Sequence, residues 1–515
     1  MSRTRRSALN FISSISLMAF TMLIGFVTTP MLLKWLGEEL YGAYRATLDC
    51  YGYLTLLELG LDGALLAILS RVMHQKGIAP EVCRAELRQV IAIGLRAYAY
   101  LTSIYMIVGF ILVYFIHGLV PVHADHLVDL RWGACVATIS FALLPLTSFR
   151  AFAEASNRGY HINMLLGLQS VIVTVFSLLF AAWGWKLTGQ FIALLIGGCF
   201  FHGGVAIYAL KLLGKETVPS APMALQSTVT KELWHLNRPN FIMNLCGKLG
   251  LMSDQIIISA LLGPAAIVPF FLTCRLPQIA QRVLQSIGNS SWPALVELHA
   301  HGEHDRFNER LVELTRTVAI LAIAGLLPIV IGNHHFVVLW VGSDHFAGHA
   351  TSICAAITTY ILSLVSLWGW CFTGTGKPHA MLKIFVIQTV INLVLSVIFT
   401  AQLGIRGPLL GTAVAQVCTV LWYLPRMLRT TFGTAPLLIA KAYILPALWA
   451  IPYGFLVHWV FASIAPFNWF SLAAAMFVAG CSFLLFAAFA MLTAGQRNLW
   501  RVRLMSFVWP KRFSP

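Results

Sequence analysis

The sequence predicts an all-α polytopic membrane protein with about fourteen transmembrane helices. Three observations support this prediction. Hydrophobic residues make up 58% of the 515 residues and charged residues only 10%. The mean hydropathy is +0.79, which no ordinary soluble domain reaches. Apolar segments of bilayer-spanning length follow one another along the chain, and helices are expected because lipid offers no partner for an unpaired backbone group.

The predicted spans are 8–34, 42–70, 89–116, 131–153, 161–183, 188–213, 237–262, 265–296, 315–340, 350–374, 379–402, 406–430, 438–462 and 467–493. The first is predicted to be a retained helix, because its apolar run is longer than the core of a signal peptide. Two polar connections, 214–236 and 297–314, are predicted to form interfacial helices.

The basic residues lie on alternate connections between the spans. One set of connections, with both termini, carries 26 lysines and arginines, and the other set carries 4. Arg150 and Arg158, after the fourth span, belong to the larger set. This bias predicts that both termini are cytoplasmic. The net charge of +16 therefore indicates membrane lipids as partners and no nucleic acid, and the basic tail after Arg497 is predicted to anchor at an anionic leaflet.

A weak internal repeat predicts two similar lobes. Asn10-Phe-Ile opens the first span and Asn240-Phe-Ile the seventh, and a Leu-Gly pair follows each at a similar distance. Such repeats enclose a central cavity in transporters. The predicted organisation is an N-terminal lobe of six helices, a cytoplasmic linker, a C-terminal lobe of six helices, and two additional helices with a basic amphipathic tail, at 1–213, 214–236, 237–430 and 431–515 respectively.

The second span carries four charged side chains, Arg45, Asp49, Glu58 and Asp62. Each ionised group held at the centre of a helix in lipid costs about 2.5–3.5 kcal/mol, so some must face water, a partner charge or a polar substrate. At 100° per residue, Arg45 and Asp49 share one face, and Glu58 and Asp62 share a roughly opposite face. Either Gly52 or Gly60 bends the helix, or one pair is structural.

Two interpretations of these charges are open. Arg45 and Asp49 are predicted to be a structural or rim pair at i,i+4 spacing, with substrate contact as the alternative. Glu58 and Asp62 are predicted to act in gating or ion coupling, together with Asp254 in the seventh span. The alternative is that Glu58 and Asp62 are buried structural carboxyls, protonated or hydrogen-bonded, that stabilise a glycine-rich contact between helices.

Three cationic side chains are predicted to bind an anionic substrate. Arg275 and Arg282 lie seven residues apart on one face of the eighth span, and Lys248 lies near the middle of the seventh. Arginine suits phosphate because its planar fork pairs bidentately and stays charged. Pairing of the two arginines with Glu58 or Asp62 is the alternative. The prolines at 264, 269, 277 and 293 are predicted to interrupt the eighth span.

No metal, cofactor or catalytic residue is predicted. The histidines at 299, 301 and 304 match no zinc spacing, and Gly374-Thr-Gly-Lys377 lacks the flanking residues of a phosphate loop. No outer connection approaches the size of a folded domain, which argues against extracytoplasmic chemistry of the polymerase or ligase type.

Several motifs resemble the Wzx-type polysaccharide flippases of the multidrug/oligosaccharidyl-lipid/polysaccharide (MOP) exporter superfamily. The second-helix pattern is Leu36-Gly-Glu-Glu-Leu-Tyr41-Gly42 with Tyr53-Leu-Thr-Leu-Leu-Glu58-Leu-Gly60-Leu. Ser253-Asp254-Gln-Ile-Ile-Ile-Ser259-Ala-Leu-Leu-Gly263, Trp292-Pro293-Ala-Leu-Val-Glu297-Leu and Val338-Leu-Trp340-Val-Gly342 resemble later family segments. Glu58 occupies a position where the family pattern more often has Asp, so the carboxylate is kept.

The resemblance implies a bacterial inner-membrane flippase for undecaprenyl-diphosphate-linked oligosaccharide, such as an O-antigen repeat unit of lipopolysaccharide. It implies alternating access with ion coupling left open, and a polysaccharide polymerase and chain-length machinery as candidate partners. A drug or cation antiporter of the MATE kind is the alternative function, although a cationic cavity disfavours positively charged substrates.

Overall fold

A computed structural model describes residues 3–58, 61–74, 80–156, 158–214, 245–250, 252–375, 377, 379–464, 468–491 and 497. Nearly all of these residues are helical, and no β-strand occurs among them. The predicted all-α fold is confirmed.

The α-helices of the described residues, in chain order, are α1 Arg3–Leu54, α2 Leu61–His74, α3 Pro80–Leu119, α4 Ala124–Ser140, α5 Thr147–Ala155, α6 Gly159–Ala182, α7 Lys186–Leu213, α8 Met252–Leu262, α9 Ile267–Ala300, α10 His304–Val341, α11 His349–Gly374, α12 His379–Leu403, α13 Gly407–Cys418, α14 Val420–Phe432, α15 Pro436–Ile464 and α16 Trp469–Ala490. Short 3₁₀ turns cover Thr55–Glu58, Phe141–Leu146, Pro264–Ala266, Ser343–His345 and Gly404–Arg406.

The helices follow the fourteen predicted spans in order. Ten helical stretches of the described residues are long and apolar enough to cross a membrane. One of these stretches, Leu9–Leu54, covers the first predicted span and the first part of the second, and another, His379–Phe432, covers the eleventh and twelfth. The seventh span corresponds to residues 245–250 with α8, and the eighth corresponds to α9. The chain is therefore a multi-pass helical membrane protein.

The chain divides into two compact units. Unit 1 comprises Met1–Val268 with Thr400–Ile405, and unit 2 comprises Pro269–Phe399 with Arg406–Pro515. The predicted lobe boundaries stay predictions. Most of the predicted linker 214–236 and of the basic tail lies outside the described residues, so their predicted interfacial and anchoring roles also stay predictions.

The first two predicted spans meet at one residue. Gly37 is the single non-helical position inside Arg3–Leu54, with φ 75° and ψ 170°. Glycine adopts this positive φ at little cost because it has no Cβ. The connection predicted between the first two spans is therefore a kink at Gly37.

The interfacial helix predicted at 297–314 is wrong as a separate element. The preceding helix α9 continues to Ala300, and α10 begins at His304. Ion pairs support the start of α10: Arg306 donates to Glu303 at 2.7 Å and Arg310 to Glu313 at 2.6 Å. Such pairs one turn apart stabilise helix in a polar sequence.

A hydrogen-bonded ion pair connects two segments of unit 1. Glu39 on α1 accepts hydrogen bonds from the His123 backbone N–H at 2.7 Å and from its Nδ1 at 2.8 Å. His123 is the residue before α4. The hydrogen bond that His123 donates to Glu39, together with the negative charge of Glu39, raises the pKa of His123 above the ordinary value of 6.5.

This contact is expected to weaken as the pH rises. Because the pKa of His123 is raised in the folded state, the pairing of charged His123 with Glu39 stabilises the fold fully below pH about 6.5. This contribution is lost as the pH rises through the folded-state pKa of His123. Amide hydrogen exchange of residues 120–126, corrected for its intrinsic pH dependence, should become a few-fold faster between pH about 6 and pH about 8. In Glu39→Gln this dependence should disappear, and an unchanged dependence in that variant would contradict the prediction.

Candidate functional site

The second predicted span is broken where its carboxylates lie. The helix α1 ends at Leu54, and Thr55–Glu58 forms a 3₁₀ turn. The next helix, α2, begins at Leu61 and carries Asp62 in its first turn. The α-helix α1 therefore does not continue to Glu58. Interrupted helices build the binding sites of many transporters because their freed backbone and side-chain groups line a cavity.

Lys248 is bound at this break. Its Nζ donates a hydrogen bond to the Thr55 hydroxyl at 2.6 Å, and that hydroxyl donates to the Gly52 carbonyl at 2.8 Å. The charge of Lys248 also acts on Glu58. Both residues belong to unit 1, so this predicted substrate cation and this predicted coupling carboxylate lie together.

A group of polar side chains surrounds Asp62. We call it the charge cluster, and it consists of Glu58, Asp62, Tyr98, Arg150, Glu154 and His202. Arg150 Nε donates to Glu154 Oε1 at 2.8 Å, and the two side chains are 37% and 28% exposed. The charges of Arg150 and Glu154 both act on Asp62. A cation from α5 of the same unit therefore acts on this carboxylate.

The local sequence explains how α5 presents its ion pair. The turn Phe141–Leu146 contains Pro145 and separates α4 from α5. Ser148, Phe149 and Phe152 are then buried on one side of α5, against apolar residues of α2, α3 and α7. Arg150 and Glu154, four residues apart, share the remaining face.

Three side-chain atoms of the charge cluster are enclosed without a hydrogen bond. Within the described part of the chain, Asp62 Oδ1 and His202 Nδ1 have no hydrogen-bond partner and almost no solvent contact. The Tyr98 hydroxyl is in the same condition, and its side chain is fully buried. Enclosed polar atoms without a partner are costly, and they mark sites that bind a proton, water or ion.

Asp49 and Asp254 form a second acidic group. Asp49 on α1 is 9% exposed, and its charge acts on Asp254 of α8. Arg45 acts on Asp49 as well. The helix α1 also lies close to the turn Pro264–Ala266, since a Cβ on Gly42 would collide with the Pro264 carbonyl oxygen. The predicted Arg45–Asp49 pair therefore has Asp254 beside it, and its rim role stays a prediction.

The two predicted arginines lie on α9, in unit 2. The Arg275 guanidinium lies 5.6 Å from the centre of the Phe271 ring, a cation–π distance. Arg282 is exposed. The prolines predicted to interrupt the eighth span do not divide it into separate helices. Pro264 lies in the 3₁₀ turn before α9, and the helix runs from Ile267 to Ala300 with Pro277 and Pro293 inside it.

The sequence reasoning missed most of the charge cluster. It counted Arg150 among the charges of a connection and gave no role to Glu154 or His202. Two signals were present: the i,i+4 spacing of Arg150 and Glu154 after a proline, and a histidine in the middle of an apolar span. No group of three His, Cys, Asp or Glu that could hold a metal occurs among the described residues.

Comparisons with known proteins agree on family and fold. Residues 7–299 match the family described as "Polysaccharide biosynthesis protein". A curated protein of Salmonella typhimurium (strain LT2), named "Putative O-antigen transporter", is 28% identical over 200 residues, which cover 36% of this chain and 43% of that protein. The chain thus matches less than half the length of this relative.

Two solved structures have a similar fold. The lipid II flippase MurJ, in an inward closed conformation, gives a TM-score of 0.70 at 13% identity over 93% of this chain and 98% of that one. An inward-facing multidrug resistance MATE family transporter of the MOP superfamily gives 0.59 at 11% identity, over 84% of this chain and 95% of that one. At these identities the similarity shows the fold alone.

Proposed function

We propose, from the premise that this chain belongs to the polysaccharide biosynthesis protein family, that it is a lipid-linked oligosaccharide flippase. Its substrate is an undecaprenyl-diphosphate-linked polysaccharide repeat unit, which it moves from the cytoplasmic to the periplasmic leaflet of the bacterial inner membrane. The O-antigen name of the curated relative supports this class of substrate. Both termini are cytoplasmic in this proposal, and a polymerase and chain-length machinery act on the product.

Cationic side chains within the helical segments carry the proposal. Lys248 lies at the broken second span, and Arg275 and Arg282 lie two turns apart on α9. A diphosphate needs positive groups at membrane depth, because an unpaired anion there is costly. Charge-assisted hydrogen bonds to phosphate oxygens are about twice as strong as neutral ones. These three residues are the proposed substrate-binding set.

The acidic side chains supply the proposed coupling. Glu58, Asp62 and Asp254 lie within helical segments of unit 1. Carboxylates inside transmembrane segments commonly mark proton or ion pathways. The 3₁₀ turn Thr55–Glu58 is the proposed hinge for alternating access, since α1 and α2 on either side of it can move separately.

Deletion of the gene, with complementation, tests this function. We expect the deletion to remove surface polysaccharide and to accumulate the lipid-linked repeat unit inside the cell. Both changes should be reversed by the wild-type gene on a plasmid. Gel electrophoresis of surface polysaccharide and mass spectrometry of the lipid extract measure them. Normal surface polymer in the deletion strain, or loss of polymer without the lipid-linked intermediate, would contradict a flippase.

A cation or drug antiporter of the MATE kind is the second candidate, because a MATE family transporter has a similar fold. Its substrates are positively charged, whereas Lys248, Arg275 and Arg282 favour anions. Expression in an efflux-deficient host decides between the two. Increased resistance to organic cations would support antiport, and unchanged resistance is expected for the flippase.

A further inference from the structure

The charge cluster and Lys248 hold unequal numbers of acidic and basic groups. The carboxylates are Glu58, Asp62 and Glu154, and the cations that act on them are Arg150 and Lys248. If all three carboxylates were ionised, one negative charge would have no counter-charge. An uncompensated charge in a desolvated site is strongly unfavourable, so the group binds a proton instead.

Arg150 is engaged by Glu154. The 2.8 Å hydrogen bond from Arg150 Nε to Glu154 Oε1 is charge-assisted and joins neighbouring turns of α5. This direct contact makes Glu154 the hydrogen-bonded partner of Arg150. Among the described residues, Asp62 forms no hydrogen bond with Arg150; the charge of Arg150 acts on Asp62, and the charge of Glu154 opposes that effect.

Lys248 is the main counter-charge of Glu58. Among the cations that act on Glu58, Lys248 has the larger effect and Arg150 the smaller. Its Nζ is also held at the break by Thr55. Asp62 is therefore the carboxylate left without its own cation.

The geometry of Asp62 supports a bound proton. Its Oδ1 is enclosed and has no hydrogen-bond donor within the described residues. An enclosed carboxylate oxygen without a donor is stabilised when it is protonated, because the neutral form needs less solvation. His202 is a poorer place for the proton, since a second positive charge there would lie close to Arg150. Tyr98, and Tyr105 near Glu58, are neutral hydroxyls that add no charge to the count.

We propose that the three carboxyl groups of the charge cluster hold one exchangeable proton, carried by Asp62. Arg150 and Glu154 are positioning residues that fix the number of protonated carboxyl groups at one. The proposal deepens the proposed function, since it assigns a coupling proton to unit 1. The proton enters and leaves Asp62 when the cluster opens to water, with no other chemical change. Neutralising an acid and neutralising a base of the cluster should therefore change the proton count in opposite directions.

Infrared spectroscopy of the purified full-length protein in nanodiscs at pH about 7 tests the count. The C=O stretch of protonated carboxyl groups lies apart from the amide bands, and difference spectra against wild type cancel the signals of Asp49 and Asp254. We expect Asp62→Asn or Glu154→Gln to remove the signal of one protonated carboxyl. Arg150→Gln should add one. The double variant Arg150→Gln/Glu154→Gln should return the signal to that of wild type.

Glu313→Gln is the matched control, because it removes an acid from an i,i+3 ion pair with Arg310 in unit 2. It should leave the signal unchanged. If Arg150→Gln does not yield a monodisperse protein, Glu154→Gln and the double variant still test the count. Signals that change in the same direction for Arg150→Gln and Glu154→Gln, or do not change, would overturn the proposal. The infrared samples contain no saccharide, so this experiment does not depend on polysaccharide export. A wrong number of protonated carboxyl groups would overturn this proposal even if export is normal, and a loss of export would contradict the proposed function even if the number is as expected.

Discussion

Replacing Arg282 by alanine is expected to abolish surface polysaccharide while the protein remains in the membrane at its wild-type level. Arg282 is the sixteenth residue of the 34-residue helix α9, and its side chain is exposed. An ionised arginine facing lipid at that depth would cost about 2.5–3.5 kcal/mol. We therefore infer that its exposed side faces water or an anionic ligand.

The size of the effect follows from the contact that is lost. A hydrogen bond to a charged group contributes about 1.5–3 kcal/mol, which corresponds to a loss of about 10- to 100-fold in substrate affinity. Arg282→Lys keeps the charge but loses the bidentate fork, so it should retain part of the polymer. Immunoblotting of membranes and electrophoresis of surface polysaccharide measure the two quantities together.

Arg306→Ala provides the comparison for this experiment. Arg306 is also an exposed arginine of unit 2, and it pairs with Glu303 in the first turn of α10. Its replacement should leave surface polysaccharide unchanged, because exposed ion pairs contribute little. If Arg282→Ala gives normal polymer, Arg282 has no role in binding the diphosphate. If Arg306→Ala gives the same loss, the effect is not specific to α9.

The course of the chain was predictable because the length of an apolar run determines whether a helix crosses the bilayer. The same physics does not determine how helices begin and end. The kink at Gly37 depends on one backbone conformation, and the extension of α9 to Ala300 depends on continued helical hydrogen bonding through polar sequence. Apolar runs end before such helices do, so both connections were predicted as longer than they are.

The site was predictable as a set of charges but not as a set of contacts. Glu58, Asp62 and Lys248 were identified because ionisable groups in apolar spans are costly. Their partners depend on which helices pack together. The helix α5 brings Arg150 beside Asp62, and the residues before α8 bring Lys248 to Thr55. Neither proximity appears in the spacing of residues along the chain.

Asp62→Asn is expected to make flipping independent of a proton gradient. Asparagine has the size of aspartic acid and resembles its protonated form, so the charge cluster would keep the neutral state permanently. In wild type, one proton moving across a difference of one pH unit supplies about 1.4 kcal/mol, which is about tenfold in the ratio of substrate between leaflets. In the variant that ratio should stay at one with or without the gradient. Proteoliposomes that contain a fluorescent lipid-linked oligosaccharide, with a membrane-impermeant quencher, measure the ratio.

The same assay separates coupling from damage to the site. Asp62→Asn should still exchange substrate between leaflets at a measurable rate, because Lys248 keeps its bond to Thr55 and the arginines of α9 are unchanged. Glu313→Gln, which lies in an ion pair of unit 2, should respond to the gradient like wild type. A variant Asp62→Asn that still concentrates substrate in response to the gradient would show that the coupling proton lies on another residue. Loss of both exchange and response would show instead that Asp62 supports the structure of the break rather than the coupling of transport.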